Sequence, residues 1–219
     1  MNEETLKSIA AQLRKPEGEY AVQIGEFMNN GNLLINLNAI ENLKLHDGDH
    51  ILEIGMGNGF FVKNILSAGD SIKYSGCDYS EIMVNESLNR NKEFVLNGRA
   101  TFFQADAENL PFENESFDKV MTVNTIYFWE NPEAVLAEIR RILKPEGMIV
   151  IGIRPKRTME KYPFVKYGFN MFSKDDLVSL LSDNFFKVES IIEQIEPEQE
   201  YEGEKMIVEN LVVCACQNL

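Results

Sequence analysis

From residue 50 onward the chain alternates short apolar runs with helix-length amphipathic segments, and nothing else restricts its fold so strongly. His50-Ile51-Leu52-Glu53-Ile54 reads as a strand ending in a glycine cluster. Behind it, Phe61, Val62, Ile65 and Leu66 share one helical stripe. Residues 72–77 form a second expected strand. Ser80 then caps a helix that carries Met83, Val84 and Leu88 and ends at Asn97-Gly98. Residues 101–105 and 119–123 supply strands three and four. Asn131-Pro132 opens a helix, with proline in the first turn where no amide donor is needed; its apolar face is Val135, Leu136, Ile139, Ile142 and Leu143. Lys144-Pro145-Glu146-Gly147 breaks that helix, and residues 148–153 are an apolar fifth strand. Ser173-Lys174-Asp175-Asp176 is a capping box ahead of Leu177, Val178, Leu180 and Leu181. Two last strands, 187–194 and 206–216, flank a Glu- and Pro-rich turn region and are expected to pair antiparallel. Apolar strands separated by helices need a sheet covered on both faces, so the expected class is α/β, doubly wound.

Residues 1–48 precede this core, with helical signals at 20–29 and 33–45 around Asn29-Asn30-Gly31-Asn32. Such a prefix either packs on the sheet edge or covers the crevice at the strand ends as a lid. No repeat or linker interrupts the chain. One domain over residues 1–219 is expected, 1–48 as a helical N-terminal cap and 49–219 as the core.

Composition removes several functions. Lys plus Arg number 21 against 35 Asp plus Glu, a net charge of −14, which repels nucleic-acid phosphates and anionic lipid. No apolar run is long enough to cross a bilayer, and the acidic N-terminus lacks a leader pattern. Cys77, Cys214 and Cys216 lie in apolar runs, as expected of buried thiols in a reduced, cytoplasmic protein. Cys-x-Cys without a nearby histidine is a poor zinc site, and His46 and His50 are expected in solvated loop positions, so no metal is expected.

Chemistry concentrates at the strand ends. Glu53-Ile54-Gly55-Met56-Gly57-Asn58-Gly59 joins the first strand to its helix, where glycines let a ligand approach the backbone closely. A dinucleotide fingerprint would need glycine at position 60, which is Phe60; the third glycine comes one residue early. The P-loop Lys-Ser/Thr pair and the nucleophile elbow are missing. Asp78 ends strand two, 23 positions after Gly55, where a carboxylate accepts hydrogen bonds from both hydroxyls of a ribose. Asp106-Ala107-Glu108 follows strand three, where a carboxylate and the next amide can read an adenine edge.

These blocks, with the segment Leu110-Pro111-Phe112 to Ser116-Phe117-Asp118 and with Leu143-Lys144-Pro145-Glu146-Gly147, resemble the class I S-adenosylmethionine-dependent methyltransferases of the small-molecule, methyltransferase domain 11-like type. The resemblance spans roughly residues 45–155. It implies a Rossmann-like seven-stranded sheet, mostly parallel, with an antiparallel C-terminal strand hairpin and N-terminal helices. It implies S-adenosylmethionine as cofactor and in-line methyl transfer to a small molecule. Gly55, Gly57 and Gly59 would lie under the methionine portion, with Glu53 near its ammonium group. Asp78 would take the ribose, Tyr79 and Met83 would flank the adenine, and Asp106 and Ala107 would read its edge. Asn124 would lie near the transferred methyl. Met56, Asn58 and Glu108 complete the expected cofactor set.

Asn124-Thr125-Ile126-Tyr127 superficially resembles the Asn-Pro-Pro-Tyr motif of amino-group methyltransferases, but both prolines are missing, and the charge argues against a nucleic-acid substrate. Tyr127 and Trp129 are expected to line the acceptor pocket. Tyr20, Tyr127 and Glu130 are candidate bases, though methyl transfer requires one only when the nucleophile must lose a proton. The segment 155–172 holds Lys156, Arg157, Lys161 and Lys166 among five aromatics, which points to an anionic or aromatic acceptor or to a solvated loop. Two other readings stand beside this one: a nicotinamide-dependent oxidoreductase, and a cofactor-binding module without turnover.

Overall fold

The computed structural model describes residues 1–201 and 203–218. Three helices lead the chain: α1 (Glu3–Arg14), α2 (Ala21–Gly31) and α3 (Leu33–Asn42). There follow β1 (His50–Ile54), α4 (Val62–Leu66), β2 (Lys73–Asp78), α5 (Glu81–Arg90), α6 (Lys92–Leu96) and β3 (Ala100–Gln104). Next come β4 (Phe117–Val123), α7 (Pro132–Ile142), β5 (Leu143–Ile153), α8 (Lys156–Met159), α9 (Lys174–Asp183) and β6 (Phe186–Ile195). A small hairpin, β7 (Gln199–Tyr201) with β8 (Glu204–Met206), precedes β9 (Glu209–Gln217).

The main sheet has the order β3-β2-β1-β4-β5-β9-β6. Strands β1 to β5 are parallel, and β9 runs antiparallel to both β5 and β6. This is the expected doubly wound sheet with its antiparallel closing pair. Period-two alternation divides the core between two faces. Ile149, Ile151 and Ile153 face the layer of α7 and α9, built on Val135, Leu136, Ile139, Leu177 and Leu181. Val150, Met121 and Ile51 face Ile35 and Ala39 of α3, Leu43 just after it, and Val62, Ile65 and Leu66 of α4.

Strand order reverses between β1 and β4, and there a crevice opens beyond the carboxyl ends of the strands. The N-terminal helices take one expected role and one that differs, since α3 lies on the sheet face over β4, β5 and β9 and not at its edge. Helix α3 packs on the sheet, whereas α1 and α2 line the crevice.

Several local expectations are corrected. Helix α1 was not anticipated, although Leu6, Ile9, Ala10 and Leu13 share one helical face; Asn2 caps it by accepting from Thr5 N. The helix after Ser80 breaks at Asn91, and Leu88 is exposed while Ser87 and Asn91 are buried. Those two polar side chains turn inward because they hydrogen-bond the carbonyls of Gly57 and Gly59. The helix ends before Lys144-Pro145-Glu146-Gly147 as expected, but β5 starts at Leu143 instead of residue 148, with those four residues as its irregular opening. His50 is half-buried, 4.4 Å from the Phe117 ring centroid and 3.0 Å from Ser75 Oγ; His46 is the solvated one.

Candidate active site

A cavity of about 1190 Å³ lies over the crevice. That exceeds the roughly 300–1,000 Å³ typical of a single-ligand pocket. Its floor is the turn after β1. Gly55 has φ +73, and a Cβ there would stand 2.2 Å from Thr125 Cγ2, so only glycine lets β1 and the β4 exit approach this closely. The next turn residues are held from β2: Gly57 N–H donates to Asp78 Oδ2 at 3.0 Å, while Ser80 N–H donates to Oδ1 at 2.8 Å. Asp78 thus fastens the glycine turn to the start of α5 and still faces the cavity.

Gly59 stands apart from the other glycines of the turn. It does not line the cavity; a Cβ there would meet Asn91 Nδ2 at 2.6 Å and Ser87 Oγ at 2.9 Å, so this glycine serves the packing of α5. All the other expected cofactor residues line the cavity: Glu53, Gly55, Met56, Gly57, Asn58, Asp78, Tyr79, Met83, Asp106, Ala107, Glu108 and Asn124.

Two carboxylates carry unusual electrostatics. Glu53 is 3% exposed and accepts from Tyr74 Oη at 2.6 Å; burial, reinforced by the nearby Asp78 charge, pushes its carboxyl up to about 7. Burial also lifts Asp78 to about 6 against the opposing pull of its amide donors. Both would gain from a cationic ligand. Asn58 Oδ1 is buried without a partner, while its Nδ2 donates to Glu26 of α2 at 3.3 Å.

On the β3 side, Asp106 closes a tight turn by accepting from Glu108 N, and Glu108 in turn accepts from Asn131 N at the start of α7. Tyr79 lies beneath Lys15, whose Nζ stands 4.9 Å from the ring centroid.

On the β4 side, Asn124 holds the left-handed conformation, φ +57, at the strand exit. Its Nδ2 donates to Asn32 Oδ1 at 3.1 Å. Tyr127 is buried, its hydroxyl 3.1 Å from Asn124 Oδ1, 3.0 Å from the Arg154 carbonyl and accepting from Arg154 N at 2.6 Å. Burial raises its phenol well above the usual tyrosine range. Trp129 is 5% exposed, and its indole N–H has no partner. Tyr20 and Glu130 sit at the exposed rim, Glu130 paired with Arg14 at 2.5 Å. That pair, with Ser80 Oγ donating to Pro16 O at 2.6 Å, fastens α1 and the following loop over the cavity.

The sequence reading missed Arg154, which immediately follows β5 and lines the cavity. A charged residue closing an apolar strand at the functional edge was the signal. The segment 155–172 contributes Tyr162, Phe164 and Phe169 to the cavity but none of its basic residues. Arg157 pairs with Glu193 and Glu209, Lys161 Nζ donates to Ile207 O, and Lys166 lies over the Tyr167 ring.

A methyltransferase-domain family model matches residues 52–151. The ubiquinone/menaquinone biosynthesis C-methyltransferase of Coxiella burnetii is 30% identical over 83% of this chain and 74% of its own length. The chain belongs to the S-adenosylmethionine-dependent class I methyltransferases. Solved structures agree. An S-adenosylmethionine-dependent methyltransferase of Thermotoga maritima is 26% identical with a TM-score of 0.64, covering 91% of this chain and 100% of that one. A Haloferax volcanii methyltransferase in complex with the Trm112 activator shares the fold at a TM-score of 0.77 and 17% identity, covering 92% and 96%. The cofactor of this methyltransferase is S-adenosylmethionine, and the residues present suit it. Acidic acceptors surround a turn with close backbone access, matching a ligand that carries a sulfonium, an ammonium and a ribose. Among the described residues no helix is long and apolar enough to cross a membrane, and no group of three or more His, Cys, Asp or Glu could hold a metal ion.

Proposed function

We propose that this methyltransferase acts in the cytoplasm on a small-molecule acceptor, holding its cofactor beyond β1, β2 and β3 and the acceptor beyond β4 and β5. The observation that carries the reading is the Gly57–Asp78 hydrogen bond across the floor of a cavity large enough for two ligands. Asp78 accepts from the ribose hydroxyls, Asp106 and Ala107 read the adenine edge, and Glu53 answers the ammonium group. When bound, the cofactor supplies a methyl group already activated on sulfur.

The protein's part is alignment and exclusion of water, which effective-molarity arguments value at about 7–11 kcal/mol. Helices α1 and α2 exclude water from above. Asn124, fixed by Asn32 and Tyr127, shapes the wall at the β4 exit. No base is assigned: the Tyr127 hydroxyl is already engaged, and Tyr20 and Glu130 stand at the solvated rim. Relatives named for quinone biosynthesis support a small organic acceptor. The net charge of −14 argues against nucleic acid.

Thermal unfolding with S-adenosylhomocysteine or NADH tests the reading. A ligand at one hundred times its Kd adds about 2.7 kcal/mol, a rise of roughly 5–11 °C for a chain of this size. The rise is expected with the adenosyl ligand; a rise with NADH alone overturns the reading.

A further inference from the structure

The two halves of the cavity differ in charge. Beyond β1, β2 and β3 stand Glu53, Asp78, Asp106 and Glu108. Beyond β4 and β5 the walls are rings and thioethers: Phe128, Tyr162, Phe164, Phe169, Met159 and Met206. The rings form a continuous chain, with centroids 5.3 Å apart for Tyr162–Phe164, 5.7 Å for Phe164–Phe169 and 4.6 Å for Phe128–Phe169.

Charge in this half is cancelled. The Arg154 guanidinium, 3.2 Å from Glu196 Oε1, is paired within the protein, and Arg154 Nη2 also donates to Gly31 O at 2.6 Å. Glu130 at the rim is paired with Arg14. The other polar groups on these walls are neutral: the amides of Asn29, Asn36 and Asn124, the hydroxyls of Tyr127 and Tyr162, and the Trp129 indole N–H. An ammonium group brought here would shed its hydration without finding a free carboxylate, which is costly, whereas a neutral ring gains apolar burial and ring contacts.

Resting on the methyltransferase reading, we propose that the acceptor is a neutral, ring-bearing molecule with a hydroxyl or carbonyl oxygen for the asparagine amides, and that the site excludes cationic amines. This narrows the earlier expectation of an anionic or aromatic acceptor to the aromatic one, because the basic residues of segment 155–172 point away from the cavity.

Trp129 is the single tryptophan of the chain and lines this half, so its fluorescence reports occupancy. The purified protein is titrated at neutral pH with 4-propylphenol and with tyramine, with and without saturating S-adenosylhomocysteine. The two probes share ring and chain length, but tyramine ends in an ammonium. The expected result is a saturable change with 4-propylphenol and at least tenfold weaker binding of tyramine. In Phe164→Glu, which adds a carboxylate to the wall, tyramine is expected to gain on the phenol. Equal or tighter tyramine binding to the wild type, or no response to the phenol, would overturn the proposal. Calorimetry with S-adenosylhomocysteine alone reads the cofactor half, so its failure sinks the cofactor reading without being confused with the acceptor comparison.

Discussion

Glu53→Gln isolates the cost of the buried carboxylate. An ordinary glutamate releases its proton near 4.5, but burial holds the Glu53 proton up to about 7. Between those values the folded chain binds more protons than the unfolded one, so stability falls as pH rises through that window. The difference of about 2.5 pH units, at about 1.36 kcal/mol each, makes a penalty of roughly 3 kcal/mol, fully present by pH 8. Glutamine keeps an oxygen to accept from Tyr74 Oη and carries no charge. Urea unfolding of ligand-free protein at pH 5 and pH 8 is the assay. The wild type is expected to lose stability from Glu53 across that interval, and Glu53→Gln to be flatter, gaining on the order of 2–3 kcal/mol over the wild type at pH 8. Asp78 contributes a residual slope of the same sign in both proteins, since its carboxyl is lifted to about 6. A variant that parallels the wild type, or is less stable at pH 8, would refute the claim that burial leaves the charged Glu53 carboxylate destabilised in the ligand-free protein.

Gly59→Ala should damage folding more than cofactor affinity, costing about 1–3 kcal/mol by urea unfolding, because its Cβ meets α5 rather than the cavity. Arg14→Ala removes an exposed ion pair and should change stability by no more than about 1 kcal/mol, while stopped-flow dissociation of S-adenosylhomocysteine becomes faster as α1 loosens. Tyr127→Phe leaves the buried Arg154 N–H without its acceptor and should cost about 1–3 kcal/mol in stability, with some methyl transfer retained if Tyr127 is no base.

Much of this molecule was legible because the signals were local. Apolar alternation, the Ser80 and Asn131 caps and the Ser173 capping box needed no knowledge of tertiary contacts, and each forms as read. The glycine turn and Asp78 were legible as a pair, since their spacing along the chain places them on adjacent strands. What escaped depended on partners distant in sequence. Gly59 looks like Gly55 and Gly57 in the chain, and only the approach of Ser87 and Asn91 gives it a different task. Leu88 lost its expected burial to Ser87 for the same reason. Helix α1 was missed although Leu6, Ile9, Ala10 and Leu13 follow helical spacing behind the Asn2 cap; the contacts of Arg14, Lys15 and Pro16 that hold it reach other elements. The charge of segment 155–172 misled because the groups that engage it lie elsewhere than the cavity: Glu193 and Glu209 of the closing strands hold Arg157, and the Ile207 carbonyl holds Lys161.

The most direct test of the account is calorimetric titration of the wild type and Asp78→Ala with S-adenosylhomocysteine. One saturable site is expected in the wild type. Loss of the charge-assisted ribose contacts, about 1.5–3 kcal/mol, should weaken the variant tenfold or more. No binding to the wild type, or equal affinity in the variant, would contradict the assignment of this cavity to the cofactor.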